Sequence, residues 1–190
     1  YTSNYPILKT LYCSCDELTN LNVTGNANLT FLNCQLSQLT SLDVSKNDKL
    51  THLSCYSNQL TYLDLSKNGN LQDLDCCDNQ ITTLDLSTNT FLETVECQNN
   101  NLSNLIIPVS LKSLSCENNE LTDLDVSKGT NLLELYCSYN KLTSLDLSHN
   151  ENLEELSCSS NLITNLDVSN NTNLILLNCD DTVTVIGFNK

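Results

Sequence analysis

The sequence predicts a mainly β fold: a right-handed solenoid of about nine coils, with short parallel strands on both faces, little or no helix and low curvature. Three observations support this fold class. One pattern of about 21 residues recurs from one end of the chain to the other. Each unit contains two halves, and both halves place apolar residues at their positions 1, 4 and 6. No segment between the halves is long enough for a helix, so both halves should stack at the strand spacing and advance equally.

The repeat is clearest in residues 142–161, LTSLDLSHNENLEELSCSSN. We name its first half the Asp half, after Asp146, and its second half the Cys half, after Cys158. The Cys halves begin at Leu8, Leu29, Leu50, Leu71, Leu92, Leu111, Leu132, Leu153 and Leu174, and the Asp halves begin at Leu18, Leu39, Leu60, Ile81, Leu102, Leu121, Leu142 and Ile163. The Cys halves are 21 residues apart, except for 19 residues between Leu92 and Leu111. A fixed period predicts one elongated array in which each coil contacts only its neighbours.

The positions within each half predict the local structure. Positions 4 and 6 have the two-residue period of a strand whose two side chains both point inward. The chain turns at position 9, which is usually an Asn. The Cys halves carry one column of these residues: Asn58, Asn79, Asn100, Asn119, Asn140 and Asn161. The Asp halves carry a second column: Asn26, Asn47, Asn68, Asn89, Asn150 and Asn171. Stacked amides satisfy backbone groups that a buried turn exposes, so we interpret these residues as structural.

The pattern LxxLxLxxNxLxxLDLxxNxx is a leucine-rich-repeat signature. It resembles the nested 21-residue class called IRREKO, which is known mainly from bacterial proteins and is presumed to act by binding. The resemblance covers Leu8 to Cys179. We expect a single leucine-rich-repeat domain over residues 1–190, with repeats at 8–179. Residues 1–7 would be an N-terminal remnant or partial cap, and residues 180–190 a capping segment with one last strand around Val183 and Val185.

One Asp half departs from the pattern. After Leu102 the chain reads LSNLIIPVS, which lacks two residues and the turn Asn. Ile106 stands in place of the Asp and Pro108 in place of the Ser that follow in other Asp halves. Because proline cannot donate a hydrogen bond to a ladder, we expect the second face to be interrupted here.

The composition excludes several classes of partner. The chain has 8 Lys+Arg, all of them Lys, against 23 Asp+Glu, which gives a formal charge of −15. This balance is unsuited to nucleic acid and to anionic membranes, and it favours a basic or neutral partner. No apolar run approaches the roughly 18 residues of a membrane helix. The chain contains no Met and no recognisable signal peptide, so we expect a mature product or an excised segment.

The eleven cysteines fall into two groups. Nine occupy position 6 of successive Cys halves: Cys13, Cys34, Cys55, Cys76, Cys97, Cys116, Cys137, Cys158 and Cys179. Stacked strands lie about 4.7–4.9 Å apart, whereas a disulfide requires Cβ atoms about 3.8 Å apart. We therefore expect these thiols to be small buried apolar groups. Cys15 and Cys77 lie outside the column at positions that we expect to face outward.

The Asp halves carry a column of carboxylates, each two residues before a Ser: Asp43, Asp64, Asp85, Asp125, Asp146 and Asp167. Asp commonly accepts backbone N–H groups in its own turn, and we favour this role. The alternative is a row of calcium sites, because calcium prefers oxygen ligands. We expect no other cofactor. The two histidines, His52 and His149, lie in different halves, and straight columns do not converge on a catalytic group, so we expect no enzyme activity.

Variable residues are concentrated at the outward positions of the Cys halves. The candidate ligand contacts are Tyr12, Phe31, His52, Tyr56, Asp75, Glu93, Glu96, Glu117, Tyr136, Tyr139 and Glu155. Aromatic anchors with acidic neighbours suit a protein or glycan ligand. We expect a monomeric, non-catalytic recognition module of a secreted or surface-displayed bacterial protein, which acts outside the cell. The alternative is a rigid spacer in a larger chain, with these residues serving as ordinary solvated strand positions.

Overall fold

The computed structural model describes residues 5–188, and within that range the regular elements are thirteen strands of three residues each. They are β1 (Thr10–Tyr12), β2 (Phe31–Asn33), β3 (His52–Ser54), β4 (Asp73–Asp75), β5 (Thr83–Asp85), β6 (Thr94–Glu96), β7 (Asn104–Ile106), β8 (Ser113–Ser115), β9 (Glu134–Tyr136), β10 (Glu155–Ser157), β11 (Asn165–Asp167), β12 (Leu176–Asn178) and β13 (Thr184–Ile186). Neither an α-helix nor a helix suited to crossing a membrane occurs in residues 5–188.

Nine strands, one from each Cys half, form a single parallel sheet in the order β1-β2-β3-β4-β6-β8-β9-β10-β12. Equivalent positions pair directly, as in Leu32 with Leu53 and Leu53 with Leu74. Eight turns of the chain separate these nine strands, so the predicted solenoid of stacked parallel strands is confirmed. The sheet runs without a break past the 19-residue coil, where β6 pairs with β8.

The core is formed by the side chains at positions 1, 4 and 6 of both halves. In the interior coils these side chains are almost fully buried, for example Leu50, Leu53 and Cys55. Each buried Leu contributes about 1.5–3 kcal/mol relative to an exposed one. The column cysteines from Cys34 to Cys158 are buried, as predicted, whereas Cys13 and Cys179 in the first and last coils are only half-buried. An end coil has one neighbour instead of two, so its core is covered on one side only.

The turn asparagines tie successive coils together. Asn79 Nδ2 donates to the carbonyl oxygens of Cys55, at 3.0 Å, and Cys76, at 3.2 Å, while its Oδ1 accepts the N–H of Leu60 at 2.9 Å. The residue before it, Asp78, has a φ of 52°, which turns the chain and buries the amide. Asn58, Asn100, Asn119, Asn140 and Asn161 make the same bonds. The structural role predicted for this column is therefore confirmed.

Strands also lie on the second face, but there the ladder is discontinuous. Within residues 5–188, two pairs of strands lie on this face, β5 with β7 and β11 with β13, and the Asp halves that begin at Leu39, Leu60, Leu121 and Leu142 contain no strand. In both pairs an Ile stands opposite a column Asp: Ile106 opposite Asp85, and Ile186 opposite Asp167. Where neighbouring halves both carry Asp at this position, two like charges face each other, which disfavours close pairing by roughly 1 kcal/mol in water.

The second face is interrupted beyond β7, because the next half contains no strand, but Pro108 is not the cause that the prediction gave. The half that contains Pro108 forms β7, and the N–H of Leu86 donates to the carbonyl oxygen of Ile106 at 2.9 Å. Pro108 lies two residues beyond the end of β7, so its missing N–H falls outside the ladder. The β-branched Ile106, which replaces the Asp, favours extended backbone at the same time.

The last strand follows the repeats and extends the second face. β13 pairs in parallel with β11, and Gly187 follows it with a φ of +85°. A Cβ atom at Gly187 would lie 2.5 Å from the Cα of Ser169, so only glycine fits there. Residues 1–4 of the expected N-terminal remnant and residues 189–190 of the expected cap lie outside the described residues.

Candidate ligand-binding face

The outward side of the nine-stranded sheet displays three rows of side chains. Positions 3 and 5 flank the buried position 4 of each strand, and position 7 follows the strand on the same side. In most interior strands, the side chains at positions 3 and 5 are half-buried and the side chain at position 4 is buried. We name these three rows the Cys-half face. Because the strands are about 4.8 Å apart, side chains from successive coils touch along each row.

Three aromatic rings follow one another at the N-terminal end of this face. The ring centroids of Tyr12 and Phe31 are 5.0 Å apart, and those of Phe31 and His52 are 5.8 Å apart. His52 Nε2 lies 2.8 Å from Asp73 Oδ2, which ends the row in a carboxylate. We name Tyr12, Phe31 and His52 the aromatic stack. Tyr12 is 68% exposed, so the stack presents a ring to solvent.

An acidic centre occupies the middle of the face. Among residues 5–188, only Asp75, Cys77 and Glu96 form a group of three metal-capable side chains, with ligand atoms within 4.8 Å of one another. Asp75 Oδ2 accepts the hydroxyl of Ser54 at 3.1 Å. Burial, and then the hydrogen bond to Asp75, raise the pKa of the Cys77 thiol. The thiol is therefore protonated at neutral pH, whereas a metal ligand would have to be the thiolate.

Cys77 lies on the outward side of the sheet, as predicted, but the exposure expected of its thiol is wrong, because the residue is only 4% exposed. Position 7 is partly covered in every interior coil, and Tyr56 and Gln98 occupy it on either side of Cys77. Both of these neighbours have larger side chains than Cys77, which accounts for its cover. Cys15, in contrast, is exposed as predicted.

A second patch lies toward the C-terminal end and contains Glu117, Tyr136, Tyr139 and Glu155. The hydroxyl of Tyr136 donates to Glu155 Oε2 at 2.5 Å, and this bond raises the pKa of Tyr136. Burial raises the pKa of Glu117, which is half-buried. Tyr139 has a φ of 56° and is 59% exposed. It borders a polar depression of about 460 Å³ together with Glu117, Gln98, Asn118, Ser138, Ser157, Ser159 and Asn178.

The eleven predicted contacts therefore lie in separate groups. Tyr56 and Asp75 lie between the aromatic stack and the C-terminal patch, and Glu93, one residue before β6, is paired with Lys112 at 2.8 Å. Tyr12 in β1 and Tyr136 in β9 are six strands apart, or about 29 Å. The prediction did not include Gln98, Ser138 and Asn178. These residues share row positions with the chosen ones, so the register of the repeat could have identified them.

The Asp column lies on the other side of the solenoid and repeats one local arrangement. Each Oδ1 accepts the N–H of the Ser two residues later at 2.9 Å, as Asp64 does with Ser66. Hydrogen bonds from the hydroxyl and the N–H of that Ser lower the pKa values of the six carboxyl groups. The predicted turn-capping bonds are present.

An apolar cavity of about 480 Å³ lies at the N-terminal end of the solenoid, among Leu8, Leu11, Leu18 and Leu21. These are core positions of the first coil. At the same positions of the interior coils, the core packs against that of the neighbouring coil.

Comparisons with known proteins identify the fold. No family model and no curated protein matches the sequence. The functional domain of InlJ from Listeria monocytogenes, which includes a cysteine ladder, is 31% identical, with a TM-score of 0.63 over 92% of this chain and 49% of that chain. YopM from Yersinia enterocolitica is 24% identical, with a TM-score of 0.73 over 95% of this chain and 42% of that chain.

A plant protein shares the fold as well. The ectodomain of the membrane receptor kinase GASSHO1/SCHENGEN3 from Arabidopsis thaliana, in complex with CASPARIAN STRIP INTEGRITY FACTOR 2, is 22% identical, with a TM-score of 0.77 over 94% of this chain and 26% of that chain. The chain spans about half of the InlJ domain and less of the other two proteins. The chain is a leucine-rich-repeat protein, built as a solenoid of about 21 residues per coil and similar to bacterial leucine-rich-repeat proteins.

Proposed function

We propose that this chain is a non-catalytic recognition module that binds a protein or another macromolecule through its Cys-half face. The observation that carries the proposal is the difference between the two faces. The Cys-half face combines an aromatic stack, an acidic centre and a polar depression beside Tyr139. The other face repeats Asp and Ser at equivalent positions. Varied side chains on one face of a regular scaffold are what selective binding requires.

The partner class follows from the chemistry of that face. Carboxylates outnumber cations along it, and the net charge of the chain is −15. We therefore infer a basic or neutral protein or glycan, bound by a monomer of the chain at the surface of a bacterial cell or outside it. The fold supports this role in a general way, because leucine-rich-repeat neighbours include a plant peptide hormone receptor, RGFR1, in complex with RGF2.

A second candidate function is a rigid spacer within a longer protein. Its support is that many groups on and beside the Cys-half face satisfy one another. His52 is paired with Asp73, Glu93 with Lys112, and Tyr136 with Glu155. A surface whose polar groups are already paired has less to offer a ligand, because each pair must be broken or left in place on binding.

The two candidates are separated by a binding screen with variants of the face. The chain is tested against an array of glycans and an array of basic and neutral peptides. We expect saturable binding to one ligand class, weakened by the double change Tyr136→Ala and Tyr139→Ala and unchanged by Thr143→Ala on the Asp-half side. No binding on either array, or binding that both variants leave unchanged, would favour the spacer or move the site elsewhere.

A further inference from the structure

The Asp-half side carries a depression that the sequence pattern did not predict. It has a volume of about 510 Å³ and lies beside the irregular half 102–110. Its walls include Tyr62, Asp64, Thr83, Asp85, Asn104 and Ile106. We name it the Tyr62 pocket. Its volume lies within the range of small-ligand sites, about 300–1,000 Å³.

The backbone of the irregular half accounts for the position of the pocket. β5 pairs with β7 on one side, through Asp85 and Ile106. On its other side the neighbouring half, which contains Tyr62 and Asp64, forms no strand. The depression spans this unpaired boundary, with Ile106 and Asn104 at one end and the Tyr62 ring at the other.

The chain contains a matched site that lacks the aromatic wall. Asp146 and Asp167 correspond to Asp64 and Asp85, and Asp167 pairs with Ile186 as Asp85 pairs with Ile106. Ser144 stands in the place of Tyr62. The depression beside Asp146 and Asp167 measures about 130 Å³. The larger pocket is thus associated with Tyr62, whose side chain is 63% exposed.

The polar groups of the Tyr62 pocket determine the charge of its ligand. Asp64 and Asp85 each use Oδ1 to accept the N–H of a Ser, and neither forms an ion pair with any residue from 5 to 188. Hydrogen bonds to their own turns lower the pKa values of both carboxyl groups, so both are ionised at neutral pH. A tyrosine ring beside two carboxylates presents a π face and acceptor oxygens, which together suit a planar cation.

We propose that the Tyr62 pocket binds a guanidinium group, that is, an arginine side chain of a basic peptide or protein. The ring of Tyr62 stacks on the guanidinium plane, while the carboxylates of Asp64 and Asp85 accept its N–H groups. The amide of Asn104 borders the same space and Ile106 contacts the aliphatic stem. This site is separate from the Cys-half face and is independent of the function proposed above.

The test uses the whole chain and two small probes of the same shape. The first probe is N-acetyl-arginine methylamide, and the second is the citrulline analogue, which is neutral. Backbone amide signals are followed by NMR during titration at low ionic strength. We expect saturable shifts for residues 62–66 and 83–85 with the arginine probe, no saturable shifts with the citrulline probe, and weaker binding as salt is added.

Variants in the two matched sites complete the test. Tyr62→Ser and Asp85→Asn should each weaken arginine binding by about five- to tenfold, because each removes one of the contacts to the cation. Asp146→Asn should leave it unchanged, and Ser144→Tyr should create a second set of shifts around residues 145–148. Both altered side chains in the Tyr62 pocket are exposed, and unchanged spectra outside the pocket will show that the variants fold.

The proposal is overturned by any of three results. These are equal binding of the citrulline probe, equal shifts beside Asp146 in the unaltered chain, and shifts that are confined to the Cys-half face. If the recognition function proposed for the Cys-half face fails its own test, this titration is unaffected, because the amide signals that it follows belong to residues on the Asp-half side.

Discussion

A Cβ atom at Gly129 would lie 3.1 Å from Cδ1 of Ile107 and 3.3 Å from the carbonyl oxygen of Val126. Ile107 belongs to the irregular half, and Gly129 occupies the turn position that is Asn in most other Asp halves. The side chain of Ile107 thus lies against the space that a side chain at 129 would enter. The missing Asn at 129 and the irregular half before it are therefore coupled departures from the repeat.

The coupling predicts a double-mutant cycle. Gly129→Ala should destabilise the chain by about 1 kcal/mol, because the added methyl group crowds Ile107. Ile107→Val should cost about 0.5–1.5 kcal/mol through lost packing. The double variant should be more stable than the sum of the two changes predicts, since Val lacks Cδ1. Urea unfolding gives the four free energies, and strict additivity would contradict the contact.

The burial of Cys77 predicts how the native thiols react. A thiol reagent should label Cys15 rapidly and Cys77 slowly, because Cys77 is 4% exposed and its thiol has a raised pKa. All eleven thiols should react after denaturation. Mass spectrometry of the labelled peptides distinguishes the sites, and Cys15→Ser should abolish the rapid phase. Labelling of Cys77 at the rate of Cys15 would show that position 7 is open.

Two facing carboxylates disfavour strand pairing on the second face, so one added charge should separate β5 from β7. Ile106→Asp should separate β5 from β7, because it places a carboxylate opposite Asp85. The N–H of Leu86, which donates to residue 106, should then exchange with solvent faster. Ile106→Val should retain slow exchange, because it keeps the β-branched shape without the charge. Hydrogen exchange measured by NMR follows this one amide. Equal protection of the Leu86 amide in both variants would contradict the explanation that facing carboxylates prevent strand pairing on the second face.

The environment of Glu117 predicts a pH dependence. Burial raises the pKa of this carboxyl above its ordinary value of 4.5, so the folded state holds the proton more tightly than the unfolded state does. Stability associated with Glu117 is therefore greatest at low pH and decreases as the pH rises through its folded pKa. Glu117→Gln should be more stable than the unaltered chain at pH 7, and this difference should vanish below pH 4.5.

The corresponding measurement is the urea midpoint of the two chains at several pH values. Glu151→Gln, at an exposed position, is the control and should shift the midpoint little at any pH. A Glu117→Gln variant that is less stable than the unaltered chain at neutral pH would mean that the carboxylate is needed there, and the assigned cause would be wrong.

The sequence by itself determined the coil, the core and the turns. Leu135, Cys137 and Asn140 recur with one period, and each meets the same residue type in the coils before and after. A position in a translational repeat has nearly the same surroundings in every coil, so its burial can be read from one unit. This is why the cysteine column and the Asn bonds to neighbouring coils were predicted correctly.

Only the tertiary structure decided the features that depend on unlike residues in adjacent coils. The cover over Cys77 comes from its larger row neighbours, and pairing of β5 with β7 depends on Ile106 facing Asp85. The tilted contact between the rings of Tyr12 and Phe31 likewise joins residues 19 positions apart. A period shows which positions are neighbours, but the size and charge of the two side chains that meet determine whether they pack, pair or repel.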